Sequence, residues 1–203
     1  MQKCYAPEAA SLSNLGNVYN ELGDYQRAIE VHQQSLKIKR KIGNRQGEAN
    51  SLGNLGNAYN LSGKYQLAIE FHQQSLDIER EIGNLQGEAD SLGGLATSYS
   101  LLGKYQLAIE FYQLSLAIKQ QIGDCRGEAN SSFNLGYALT KHHRHRDAIQ
   151  VCQNARRLYQ DMGLDFYVEN CDRQICKLRR HIPWYVWFAI GLAIVLLVVR
   201  LWK

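Results

Sequence analysis

Residues 50–89 read NSLGNLGNAYNLSGKYQLAIEFHQQSLDIEREIGNLQGEA, and residues 90–129 repeat that text at roughly 24 of 40 positions. Weaker copies occupy 10–49 and 130–170. Self-similarity at a fixed period marks a repeat protein, in which each unit leaves an apolar face open and buries it on its neighbour. The fold predicted from this stretch is therefore a stack.

Inside each unit the apolar spacing is helical. Leu12, Leu15, Tyr19 and Leu22 follow at intervals of three, four and three, which predicts one buried stripe, and Gly16 beside them lets a neighbouring helix approach. Glu8-Ala9, Glu48-Ala49, Glu88-Ala89 and Glu128-Ala129 put a carboxylate near four helix starts, where the dipole favours it, with Asn44, Asn84 and Asp124 as N-caps. Gly23, Gly63 and Gly103 end the first helix of each unit in the left-handed conformation. Tyr25, Tyr65 and Tyr105 then open a second helix, which Gly43, Gly83, Gly123 and Gly163 stop. The expected organisation is a lead over 1–7, four helix hairpins over 8–43, 44–83, 84–123 and 124–163, and a capping helix over 164–182. The cap presents Tyr167 or Val168, Cys171, Ile175 and Leu178 as its apolar stripe.

Leu15-Gly16, Tyr19 and Ala28, with Leu55-Gly56, Tyr59 and Ala68 and with Leu95-Ala96, Tyr99 and Ala108, resemble the tetratricopeptide repeat (TPR) in a longer, forty-residue form. The string from Gly53 to Tyr59 is similar to repeats of kinesin light chains, of G-protein-signalling modulator adaptors and of many bacterial TPR proteins. This resemblance covers about residues 8–170. It implies an all-α right-handed superhelix whose first helices line a concave groove for an extended or helical peptide of a protein partner.

Candidate groove residues can be read from spacing. Asn14, Asn17 and Asn20, then Asn54, Asn57 and Asn60, recur every three positions on one helix face, and their amides can both donate to and accept from a peptide main chain. The third unit offers Gly94, Thr97 and Ser100, and the fourth Asn134, Tyr137 and Thr140. A TPR that docks acidic chaperone tails carries Lys and Arg on its floor. Here the corresponding positions are Ser13, Gly53, Gly93 and Phe133, which lack a cationic clamp and argue against that ligand.

Charge is divided unevenly along the 203 residues. Residues 1–170 hold 17 Lys+Arg against 18 Asp+Glu, whereas 171–203 hold 6 against 1, so the repeats lack the basic stripe that nucleic acid would require. The five cysteines form no C-x-x-C pair, and Met1 to Ala10 contains no leader-like apolar run, which predicts reduced thiols on the cytosolic side. His142, His143 and His145, with Cys152 beyond them, raise a metal reading, but Lys141, Arg144 and Arg146 among them would repel a divalent ion. A solvated basic turn and a contact with anionic lipid are the other readings of that loop. No phosphate loop or nucleophile–base arrangement appears, and paired carboxylates such as Glu79 and Glu81 read as solvated helix surface; we expect neither an enzyme nor a cofactor.

Residues 183–199 contain no charge, and extension to Trp202 adds only Arg200. Some twenty residues at about 1.5 Å each reach about 30 Å, the hydrocarbon thickness of a bilayer. Trp184, Tyr185 and Trp187 at one end and Trp202 at the other stand where interfacial aromatics collect. The expectation is one transmembrane helix over 183–202 in contact with membrane lipid, a single-pass C-terminal anchor. Arg173, Lys177, Arg179 and Arg180 before it keep the repeats in the cytosol. Ala189 and Ala193 around Gly191 hint at weak self-association of that helix. Function reads as a membrane-tethered adaptor or scaffold that captures a partner peptide in its groove. The alternative is a structural or assembly subunit of a membrane complex, acting through its convex face or its membrane helix.

Overall fold

The computed structural model describes residues 5–180, all of them helix or tight turn. The span expected at 183–202 lies outside the described residues, among which no helix is long and apolar enough to cross a membrane. The helices are α1 (Tyr5–Glu21), α2 (Tyr25–Lys41), α3 (Arg45–Leu61), α4 (Tyr65–Glu81), α5 (Leu85–Leu101), α6 (Tyr105–Gln121), α7 (Cys125–Lys141), α8 (His145–Asp161) and α9 (Asp165–Arg179). Consecutive helices pack on one another from α1 to α9, which makes the described chain an all-α solenoid. Each odd-numbered helix from α1 to α5 also touches the next odd-numbered one, whereas the even-numbered helices stand farther apart. The stack therefore curves with α1, α3, α5 and α7 on its inner side.

Small residues set the hairpin geometry. Ala9, Ala49, Ala89 and Ala129 on the inner helices and Ala28, Ala68, Ala108 and Ala148 on the outer ones are at most 1% exposed. At such close approach an outer-helix serine reaches an inner-helix carbonyl. Ser35 Oγ donates to Ala9 O at 2.8 Å, Ser75 Oγ to Ala49 O at 3.0 Å and Ser115 Oγ to Ala89 O at 2.8 Å. The fourth hairpin has Ala155 at this place. Aromatic pairs add to the packing inside the hairpins, with Tyr59 stacked on Phe71 at 5.1 Å and Tyr99 on Phe111 at 5.4 Å.

All seven turn glycines have positive φ, between 68° and 79°, the region a side chain would resist. The turn after α7 has no glycine, yet it keeps the same geometry. His143 adopts φ 61°, and the amides of His142, His143 and Arg144 return to Ala138 O, Thr140 O and Leu139 O as in the other turns. A non-glycine residue here costs about 1–2 kcal/mol.

Two expectations need correction. Leu15 is 43% exposed although its counterpart Leu55 is fully buried, because no described helix lies against the outer side of α1, and Leu22 is 74% exposed at a place where Leu102 is 37% exposed as well. Asn44 and Asp124 cap their helices by accepting from Gly47 N and Gly127 N, but the Asn84 side chain does not cap α5 and turns instead to Glu79.

His32 and His72 occupy equivalent places on α2 and α4 and are 0% and 2% exposed, with both ring nitrogens unpartnered among the described residues. Burial pushes each imidazole down to about 4, and the nearby Lys39 charge adds to the effect at His32. An imidazole lowered on folding binds its proton more readily in the unfolded chain. Its full contribution is present above about pH 6.5 and is lost as pH falls toward 4. Between pH 7.5 and 5 we expect urea-unfolding stability to drop by up to about 2 kcal/mol per histidine. The His32→Leu/His72→Leu variant should lose most of that fall, and an unchanged slope would refute the assignment.

Candidate functional site

Two open cavities lie on the inner face. The first, about 380 Å³, is bounded by α1, the end of α2 and the start of α3; the second, about 570 Å³, lies between α3, α4 and α5. Both are lined by Asn50 and Asn54, so they form one groove. Of the ladder read from sequence, Asn14, Asn17 and Asn54 line the first cavity, and Asn54, Asn57 and Thr97 the second. Thr97 is already engaged, its hydroxyl donating to Gly93 O at 2.9 Å and meeting Tyr112 Oη at 2.9 Å.

The other ladder residues lie elsewhere. Asn20 is half-buried and Asn60 is 9% exposed, and the Oδ1 of each is buried without a partner among the described residues. Farther along the stack Asn134 is exposed, and Tyr137, 48% exposed, carries the Lys141 ammonium 5.5 Å from its ring centre.

The groove also contains charges that sequence spacing did not indicate. One helical turn after each hairpin serine stands a residue that points toward the inner face: Lys39, Glu79, Lys119 and, after Ala155, Tyr159. Glu79 was expected on a solvated surface; it is 2% exposed and lines the second cavity. Glu81 is exposed and pairs with Arg45. The expected absence of a cation from the floor also needs amendment, since Lys39, 9% exposed, lines the first cavity from α2.

The surroundings of these charges differ. Lys39 Nζ donates to Ser13 Oγ and Ser51 Oγ, both at 2.9 Å, and has no carboxylate among the described residues. Its ammonium is held below the usual lysine range by burial. Glu79 accepts from Gln46 Nε2 at 3.0 Å and Asn84 Nδ2 at 2.7 Å, two neutral amides. Burial raises its carboxyl above the usual range, with the negative charge of Asp90 acting in the same direction. Lys119 is clamped between Asp90 at 2.5 Å and Asp124 at 2.9 Å, and Tyr159 Oη donates to Asn130 Oδ1 at 2.7 Å.

Glycine gives the second cavity its shape. The His72 ring, on its floor, is held between Gly56 of α3 and Gly94 of α5. A Cβ at Gly56 would come within 2.6 Å of the ring, and one at Gly94 would come closer still. Gly16, read as a site of helix approach, accommodates His32 of its own hairpin in the same way.

The family model for the tetratricopeptide repeat matches residues 7–81 and 87–161. The chain belongs to the tetratricopeptide repeat family. No curated protein sequence matches it. Among solved structures it is similar to the apo form of RapI, at 19% identity and a TM-score of 0.75, with 81% of this chain aligned. A Podosopora anserina protein described as a kinesin light chain of nearly identical TPR-like repeats aligns with 85% of this chain and 95% of its own, at 20% identity and a TM-score of 0.64. A Rap protein complexed with competence and sporulation factor aligns with 86% of this chain at 13% identity and a TM-score of 0.74. The chain spans 60% of the RapI structure and 50% of that Rap protein. At these identities the likeness is one of fold.

Alanine is the better helix former by about 1 kcal/mol, so an unconstrained Gly→Ala change in α5 would stabilise it. At Gly94 the trapped ring reverses that sign. Gly94→Ala should cost about 1–3 kcal/mol by overpacking, and in a His72→Ala background the same change should become neutral or stabilising. Equal effects in the two backgrounds, measured by urea unfolding, would contradict the wedge.

Proposed function

We propose that the chain is a membrane-tethered adaptor: the groove of the repeats holds a peptide segment of a protein partner, and residues 183–202 anchor the repeats to a bilayer with the groove facing the cytosol. The observation that carries the first part is the continuous inner surface from Asn14 to Thr97, whose exposed amides offer donors and acceptors to a main chain. The Rap protein of the same fold, in complex with competence and sporulation factor, supports a ligand-holding role for such a stack. The anchor rests on the uncharged run with aromatic residues at its ends. Tethering raises the local concentration of groove over partner, so modest intrinsic affinity suffices.

A second reading, as a structural subunit of a membrane complex, draws on α1. Its outer side exposes Leu15, Val18 and Leu22 together, an apolar strip able to pack against another helix.

One comparison separates these readings, and a second measurement tests the anchor. Asn17 and Asn57 are exposed, so Asn17→Ala/Asn57→Ala should leave stability within about 0.5 kcal/mol. If the groove binds the partner, recovery of partners cross-linked to the full-length chain should fall about tenfold in that variant. Unchanged recovery would remove groove binding, and loss on Leu15→Ser/Leu22→Ser instead would favour the structural reading. Full-length protein should stay with membranes through an alkaline carbonate wash; release into the supernatant would remove the anchor.

A further inference from the structure

The residue four positions after the hairpin serine is set by the fold at the junction between two hairpins, and the structure contains four versions of it. Two are satisfied internally. Lys119 holds Asp90, 29 positions earlier on the inner helix, and Tyr159 holds Asn130 across the same interval. At that place opposite Lys39 stands Ala10, which offers no acceptor and lines the cavity. Opposite Glu79 stands Asn50, whose Oδ1 is taken by Gln46 at 3.2 Å. The first cavity therefore contains a buried ammonium and the second a buried carboxylate, each without an opposite charge among the described residues, although the neighbouring junction shows that this backbone can supply one.

We infer that the groove recognises a peptide segment bearing one acidic and one basic side chain, the acid entering the cavity of Lys39 and the base that of Glu79. This rests on the groove-binding reading above. A buried charge with only neutral partners is incompletely compensated, and a ligand that brings the opposite charge gains a desolvated, charge-assisted bond. Asp90 also lines the Glu79 cavity, but its charge is already held by Lys119. His72 on the same floor, 2% exposed and without a hydrogen-bond partner among the described residues, adds no charge of its own while neutral. Consecutive inner helices in contact lie about 10 Å apart. An extended chain rises about 3.3 Å per residue, so the acid and the base stand about three residues apart. Two acids would satisfy Lys39 and clash with Glu79, which sets this ligand apart from an all-acidic tail.

The test pans a phage-displayed random-peptide library over the immobilised full-length chain in mild detergent, beside Lys39→Met, Glu79→Gln and Asn57→Arg variants whose helicity and melting are checked by circular dichroism. Wild type should enrich peptides with an acid and a base about three positions apart. Lys39→Met should lose the acid preference alone, and Glu79→Gln the base preference alone. A synthetic enriched peptide should bind Lys39→Met about tenfold more weakly, and replacing its acid by Gln should cause no further loss in that variant. Asn57→Arg should abolish enrichment. If the same charge pair is enriched on Lys39→Met and Glu79→Gln while Asn57→Arg abolishes binding, the groove reading stands and the charge assignment falls. If enrichment persists on Asn57→Arg, or nothing is enriched on wild type, both fall.

Discussion

The structure depends on how closely the two helices of a hairpin lie. Ala9 on the inner helix and Ala28 on the outer one, with their counterparts at forty-residue intervals, are at most 1% exposed, and Ser35, Ser75 and Ser115 each donate to an inner-helix carbonyl across the hairpin. Such a contact does more than bury area. It opposes sliding of one helix along the other, because a shift by one residue would break the bond to the carbonyl, and an unmade buried hydrogen bond costs about 1–3 kcal/mol. Register fixed in this way carries the residue one turn later to the inner face, whatever its side chain.

That arrangement separates scaffold from chemistry. The backbone at Lys39, Glu79, Lys119 and Tyr159 is nearly the same, while the side chains are an ammonium, a carboxylate, an ammonium and a phenol. Glycine provides part of the room. A Cβ at Gly87 would collide with the Glu79 carboxylate, and those at Gly47 and Gly127 would crowd the Lys39 and Lys119 stems. Neighbouring pairs such as Arg40–Glu48 and Arg80–Glu88, both at 2.8 Å, tie outer helix to next inner helix and brace the junctions where these side chains emerge.

The forty-residue period, the turn glycines and the Ala positions made the solenoid legible in the sequence, because each is dictated by backbone geometry and recurs in register. The amide ladder was legible for a similar reason, since spacing by three puts Asn14 and Asn17, or Asn54 and Asn57, on one face of one helix. Lys39 and Glu79 were not. They belong to the outer helices, change identity from copy to copy and sit among charged neighbours such as Lys37, Arg40 and Glu81, so a linear reading takes them for surface. Their burial is a tertiary property, created by the next hairpin closing over them; a comparison of the copies at the position four beyond each buried serine would have singled them out. The exposure of Leu15 is the converse. It matches the covered Leu55 and Leu95, and only the lack of a described neighbour outside α1 distinguishes it.

Each of the two charged cavities is shared property. Lys39 is held by Ser13 of its own hairpin and Ser51 of the following one, and Glu79 by Gln46 of its own and Asn84 of the turn leading to the next. Exchanging a single interior module would consequently rewrite the chemistry at both of its seams while leaving the curvature of the array intact. A short lineage of duplications and shuffles could thus generate many arrangements of buried charge from one unit, with no need to evolve a new backbone for any of them.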